Sequence, residues 1–346
     1  MNKFPIIEFH ILQSFPVSCL NRDDTNSPKT CVIGGIERAR VSSQCWKRSV
    51  RLALRDFDIK LGIRTKKVAE GIEKSLKDKG FAEEAAIKSA QEVSKLIAED
   101  SLTFFTDKEY EAIADLLLDK KSVKIGDISK VIKKGKIQVL NGLDIALFGR
   151  MVAKAPSMNV EAAASFSHAI STHAVAPEMD FFTAIDDCKV NNEDESGAAH
   201  MGVSEYSSAT YYRYISLNIE QLKSTFGLED DDSDSIKLAI KAFVKALYVA
   251  IPGARQATMS AACPWNYAKV IVRNGHRMQC AFEKPVLSDR TGGYLEASIQ
   301  LLRKELQRQE KLSGSLYGKI DEFEFGQNEN YSIDHLIKDL QCAVGA

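Results

Sequence analysis

The stretch RARVSSQCWKRSVRLALR, residues 38–55, sets the terms for reading the rest of the chain. Ser42 or Ser43 can cap a helix, because a short hydroxyl ahead of an apolar-periodic run accepts from the first free backbone N–H groups. From there Trp46, Val50, Ala53, Leu54 and Phe57 recur at helical spacing, and that stripe must face a core. Gln44, Lys47, Arg48, Arg51 and Arg55 share the opposite face. With Arg38 and Arg40 the stretch holds six basic residues and no acidic one. A merely solvated basic face is the plainer alternative, but such faces usually mix signs. Backbone N–H groups at the helix start, the Ser42 and Ser43 hydroxyls and the pair Gly34-Gly35 add neutral donors suited to phosphate oxygens.

Working outward, residues 4–13 alternate enough β-branched and aromatic side chains to predict a strand, broken by Ser-Phe-Pro-Val-Ser. A polar loop, SCLNRDDTNSPKT, leads to the basic stretch. Residues 59–139 read as a block of amphipathic helices punctuated by glycines, with the composition of a peripheral insertion. Beyond Leu140 the pattern predicts a helix near 162–171, a protruding hairpin or flap over 180–204, and a strand over 209–219. A helix over 235–251, strands at 257–262 and 268–272, and a helix over 294–312 follow, then a C-terminal strand or helix. This order predicts an α+β fold with a ferredoxin-like βαββαβ core carrying large insertions.

The chain has 346 residues, 45% hydrophobic and 27% charged, with a formal net charge of −1. Those values suit a globular protein and argue against one that coats nucleic acid with its whole surface, so any anion-binding face is local. No apolar run is long enough to span a bilayer, and the N-terminus does not suit a secretory signal; the expectation is a cytoplasmic protein without a membrane partner. Seven scattered cysteines form no CxxC pair and read as free thiols. No nucleotide-binding glycine loop or hydrolase elbow occurs. His168 and His173 stand five apart, off a common helical face, and read as packing or capping residues. Asp23-Asp24 and Asp186-Asp187 could hold a metal ion, but adjacent loop aspartates are most often turn formers. The expectation is no catalytic residue, no metal and no cofactor. Phe181-Phe182 opens the flap, and in an extended segment one of the two points each way, so one can reach a ligand.

Taken together, SCLNRDD, the GG followed by RARVSSQCWKR, LFGRM, HAISTHAV, DFFTAIDD and YSSATYYRY resemble the CasC family, the backbone subunit of the type I-E CRISPR Cascade surveillance complex. The resemblance implies an RRM-like palm (1–57, 141–179 and, with a C-terminal helix, 205–346), a helical fingers insertion (58–140) and a β-hairpin thumb (180–204). It implies that Arg22, Lys29, Arg40, Ser42, Gln44, Lys47, Arg48 and Arg51 grip the backbone of a guide RNA (crRNA). Met151 and Phe182 match the positions that wedge a flipped nucleotide, and Thr183 is implied as a further RNA-binding residue. It also implies partners: target DNA pairing with the guide, neighbouring copies of the chain, and other Cascade subunits. Ile36 and Glu37 replace basic positions of the family, and the aromatic signature of ordinary RRM sheets is not evident. Two rivals remain: an RNA-cutting backbone subunit of a type III-like complex using Asp23 or Asp24, and an anion-binding scaffold.

Overall fold

In the computed structural model the described residues are 4–98, 101–120, 123–135, 137–184, 200–228, 233–288 and 290–345. Strand β1 (Ile6–Ser18) is followed by β2 (Thr30–Ile33), β3 (Ile36–Val41) and α1 (Ser43–Ala53). The helical block contains β4 (Ile63–Thr65), α2 (Val68–Asp78), α3 (Glu83–Ile97), β5 (Thr103–Phe105), α4 (Asp107–Asp119) and α5 (Ile125–Lys134). Next come α6 (Leu143–Phe148), β6 (Ala164–Phe166), β7 (Ala169–Ser171), β8 (Glu178–Ala184) and the long β9 (His200–Asn218). The chain ends with α7 (Ile219–Phe226), α8 (Ser233–Val249), α9 (Gln256–Met259), β10 (Tyr267–Arg273), α10 (Leu295–Ser313), β11 (Lys319–Phe325) and α11 (Ile333–Ala343).

The protein is α+β, built on a nine-stranded antiparallel sheet ordered β11-β10-β1-β9-β7-β3-β2, with β6 and β8 also paired to β9. Strand β1 is buried along both faces. Its odd positions Ile7, Phe9 and Ile11, with Ile215, Leu217, Val270 and Val272, pack beneath Val50 and Leu54 of α1 and Ile236, Ile240, Phe243 and Leu247 of α8. On the other face Leu12, Tyr212, Tyr214, Tyr267 and Ile271 are covered by Ile299, Leu302 and Leu306 of α10. That face also buries an ion pair between Glu8 and Arg273, with Tyr214 and the Met278 amide (2.8 Å) donating to Glu8. Burial pushes the Glu8 carboxyl up, and Arg273 pulls it back down.

Helices α2 to α5 bury a core of their own, in which Val68, Ile72, Phe105, Tyr110, Ile113 and Ile128 meet Val152 and Met158. One buried junction ties this block to the sheet. Arg51 of α1 donates to Asp144 Oδ2 (2.9 Å) and to the Gly62 carbonyl (2.6 Å), while Asp144 Oδ1 accepts from the Gly62 amide (3.2 Å). Asp144 is fully buried and Gly62 has no room for a side chain, because Phe104 and Ile145 close on it. The entry and the exit of the block thus meet on one guanidinium.

Several expectations are corrected. Residues 162–171 form strands β6 and β7 rather than a helix, because long β9 offers them a pairing edge that outweighs the helix propensity of alanine. Residues 257–262 hold the short helix α9 rather than a strand; a brief apolar run carries no periodicity that separates the two. Strand β1 runs past Gln13 to Ser18, with a bulge between Phe15 and Ser18 that accommodates Pro16. Gly34 and Gly35, both at positive φ, make the tight turn of the β2–β3 hairpin. The C-terminus contains both a strand and a helix. The tip of the flap, with Asp186, Asp187 and Cys188, lies outside the described residues.

Replacing Asp144 with alanine leaves Arg51 without its carboxylate and the Gly62 amide without its acceptor. The expected cost is roughly 3 kcal/mol, read as a lower urea midpoint at unchanged slope; a midpoint equal to the parent would contradict the junction's role.

Candidate nucleic-acid interface

The start of α1 is assembled from three segments. Ser42 caps the helix, its hydroxyl accepting from the Cys45 amide (3.2 Å), and its own amide donates to Asn21 Oδ1 (2.9 Å). Asn21 thereby fastens the 21–29 loop to the helix. Within the loop, Asp23 Oδ1 accepts from the Thr25 amide (2.9 Å), the Thr25 hydroxyl (2.7 Å) and the Ser27 amide (3.0 Å). These bonds, the Thr25 hydroxyl foremost, hold the Asp23 carboxyl below its usual pKa range and shape a turn that displays Arg22 and Lys29. The third segment is His168, between β6 and β7, whose Nδ1 accepts from the Ser43 amide (3.1 Å). Partial burial, then Arg40 and Lys29, lower the pKa of His168 and favour the neutral ring.

Around this start the structure gathers Arg22, Lys29, Arg40, Ser42, Gln44, Lys47 and Arg48. Arg22, Gln44 and Arg48 are exposed; Lys29, Arg40 and Lys47 are half-buried. Lys47 lies 5.9 Å from the Phe166 ring centroid, and desolvation lowers its pKa. Arg40 Nε donates to the Thr30 carbonyl (3.1 Å) and Arg22 to Asn26 (3.1 Å), so both are oriented by neutral acceptors. Among the described residues none of these five cations forms an ion pair. Five cations facing solvent beside the turn-bound Asp23 favour an anionic ligand.

Two members of the basic stretch are spoken for. Arg51 is held by Asp144 and stacks 4.7 Å over Phe104, so a carboxylate a long way off in sequence interrupts the one-signed helix face. Arg38 is fully buried and donates to the carbonyls of Ser171, Phe282 and Glu283.

The remaining candidates stand apart from this cluster. Met151 is 74% exposed and follows Arg150, which is anchored by Glu109 (2.6 Å) and the Met158 carbonyl (3.0 Å). Phe182 packs over Gly202, where a side chain would collide with its ring. The β8–β9 register puts Phe182 on one face of the ribbon and Phe181 and Thr183 on the other. Phe182 lines a groove with Val17, Asp180, Ser204, Tyr206, Arg255, Thr258 and Met259. His168, read from the sequence as a packing or capping residue, meets the start of α1, whereas Arg255 in this groove had no sequence signal, sitting in no periodic run and beside no motif.

The CT1975-like protein family matches residues 7–332. The chain belongs to that family. Its fold is also found in a solved structure titled "CRISPR RNA-guided surveillance complex, pre-nicking", with 27% identity and a TM-score of 0.80 over 98% of this chain and 100% of that one. A second, titled "CRISPR RNA-guided surveillance complex", has 24% identity and a TM-score of 0.63 over 98% of this chain and 99% of that one, a likeness of fold alone. No curated protein matches. Among the described residues, no helix is long and apolar enough to cross a membrane.

Ser42→Ala removes the cap acceptor and should cost about 1 kcal/mol, measured as a lower thermal midpoint. A Ser42→Ala protein as stable as the parent would show that the cap contributes nothing.

Proposed function

We propose that the protein is a non-catalytic backbone subunit of a Cascade-type CRISPR surveillance complex, gripping guide RNA by its phosphates regardless of sequence. Copies of the chain would stack along the guide in the cytoplasm beside other Cascade subunits and preorganise it for pairing with target DNA, so that base pairing rather than this chain reads sequence. The observation that carries the reading is the cluster of cations around the start of α1, none of them in an ion pair among the described residues: Arg22, Lys29, Arg40, Lys47 and Arg48, with the neutral donors of Ser42 and Gln44. Family membership and the likeness to surveillance-complex chains support it.

The strand order β10-β1-β9-β6/β7, with α1 and α8 on one face, supports an RRM-like, ferredoxin-like palm. In this chain α10 covers the sheet face that ordinary RRMs offer to bases, which favours a grip at the helix start over stacking on the sheet. Helices α2–α5 would be the fingers and the β8–β9 ribbon the thumb, with Met151 and Phe182 as wedges and Thr183 on the ribbon's other face. The rival reading, RNA cleavage through Asp23 or Asp24, asks for carboxylate oxygens free to bind a cation. Asp23 spends one of its oxygens on three turn bonds.

Reversing charge at Lys47 and Arg48 should weaken binding of unrelated single-stranded RNAs by similar factors. It should also flatten the salt dependence by about 0.7 per lost phosphate contact, measured by fluorescence anisotropy across salt concentrations. Loss confined to particular sequences would contradict backbone recognition. In the assembled complex, the parent and Asp23→Ala with Asp24→Ala should both leave complementary RNA uncut in magnesium or manganese. Cleavage by the parent that vanishes in the double variant would establish the nuclease reading instead.

A further inference from the structure

Beneath the β8–β9 ribbon lies an open groove of about 590 Å³, separate from the start of α1. One wall is the ribbon, through Asp180, Phe182, Ser204 and Tyr206; the other is α9 with the end of β1, through Arg255, Thr258, Met259 and Val17. Arg255 has a conformation that arginine rarely adopts, φ +50°. Its carbonyl accepts from the Thr258 amide (3.1 Å) and the Met259 amide (2.9 Å), which lock that backbone in place. Residues held in left-handed backbone by their surroundings cluster at binding sites.

The side chain is half-buried, and its Nε is buried with no hydrogen-bond partner. Asp180 is the acidic residue of the groove, and among the described residues it forms no ion pair with Arg255. Arg22 lies nearby, in the loop that follows β1. Burial pushes the Cys19 thiol up; Arg255, which also donates a hydrogen bond to it, and Arg22 lie close enough to pull it back down, while Asp23 adds to the upward push. Two guanidiniums drawn to one thiol, with Asp23 of the Arg22 loop beside them and its Oδ1 taken up by the turn, border a groove with an aromatic wall and suit an anion carried on a stackable chain.

We propose that Arg255 is a further contact to the bound strand, donating to a backbone phosphate in the groove beneath the ribbon and linking the Arg22 loop to Phe182. The proposal rests on the reading of the protein as a binder of single-stranded RNA backbone. The strain at φ +50° provides a test that separates binding from stability, because glycine adopts this conformation freely.

The experiment compares the parent chain with Arg255→Gly, Arg255→Lys and Asp180→Asn in binding a 30-nucleotide oligouridine across salt concentrations, with thermal midpoints alongside. Arg255→Gly should lose about tenfold in affinity and about 0.7 of salt slope, with a thermal midpoint equal to or above the parent's. Arg255→Lys should keep most of the slope, and Asp180→Asn should bind as tightly as the parent or tighter. Arg255→Gly that binds like the parent, or that loses binding only together with its thermal midpoint, would overturn the contact. Asp180→Asn losing as much as Arg255→Gly would assign Arg255 to the ribbon carboxylate and overturn it too. In each of those outcomes the function proposed above stands as long as the parent binds; a parent that fails to bind oligouridine removes that function and the contact with it.

Discussion

The constraint on which the rest of this structure depends is that β1 is buried on both faces. Ile7, Phe9 and Ile11 are committed to α1 and α8, and Leu12 and the Glu8–Arg273 pair to the layer beneath α10. A strand so placed has no face to offer a ligand. Each fully buried aliphatic or aromatic side chain contributes roughly 1.5–3 kcal/mol, so uncovering Ile7, Phe9 and Ile11 alone would cost an amount comparable with a typical domain's net stability of about 5–15 kcal/mol. Ligand chemistry is therefore displaced to the ends of the strands and the loops beyond them, which is where the Asn21–Lys29 loop, the start of α1 and the groove under the ribbon are found.

This arrangement also reconciles a nearly neutral chain with the polyanionic ligand proposed for it. The formal charge of −1 is a sum over the whole molecule. Within the helical block several lysines pair with carboxylates, as in Lys77 with Glu73 and Glu83 or Lys79 with Asp115. Among the described residues the five cations near the start of α1 form no ion pair, so positive charge is concentrated there although the sum is close to zero. Arg51 marks the boundary between the two regimes: one turn further along the helix, the guanidinium joins the helical block to the sheet through Asp144.

How much of this was legible in sequence depends on the range of the interaction. The α1 cap, its Trp46 stripe, α8, α10 and strand β10 follow from local periodicity and were readable to within a few residues. The two strands at 164–171 were not, because alanine-rich sequence favours helix and only the distant β9 supplies their partner. The same holds at the interface. The sequence displays six basic residues in one stretch, but nothing local reveals that Asp144 takes Arg51, that three carbonyls take Arg38, or that Arg255 arrives beside the Arg22 loop. Charge is written locally, and its neutralisation is decided by contacts across the fold.

The central claim is that this chain holds RNA by its backbone as part of a repeating assembly. The most direct measurement is purification of the chain with its native partners, followed by sequencing and sizing of any nucleic acid that accompanies it. The account predicts RNA of one discrete length and varied internal sequence, protected from nuclease in a regular repeat. Complexes of the same composition that carry no RNA, or RNA of a single recognised sequence, would contradict it.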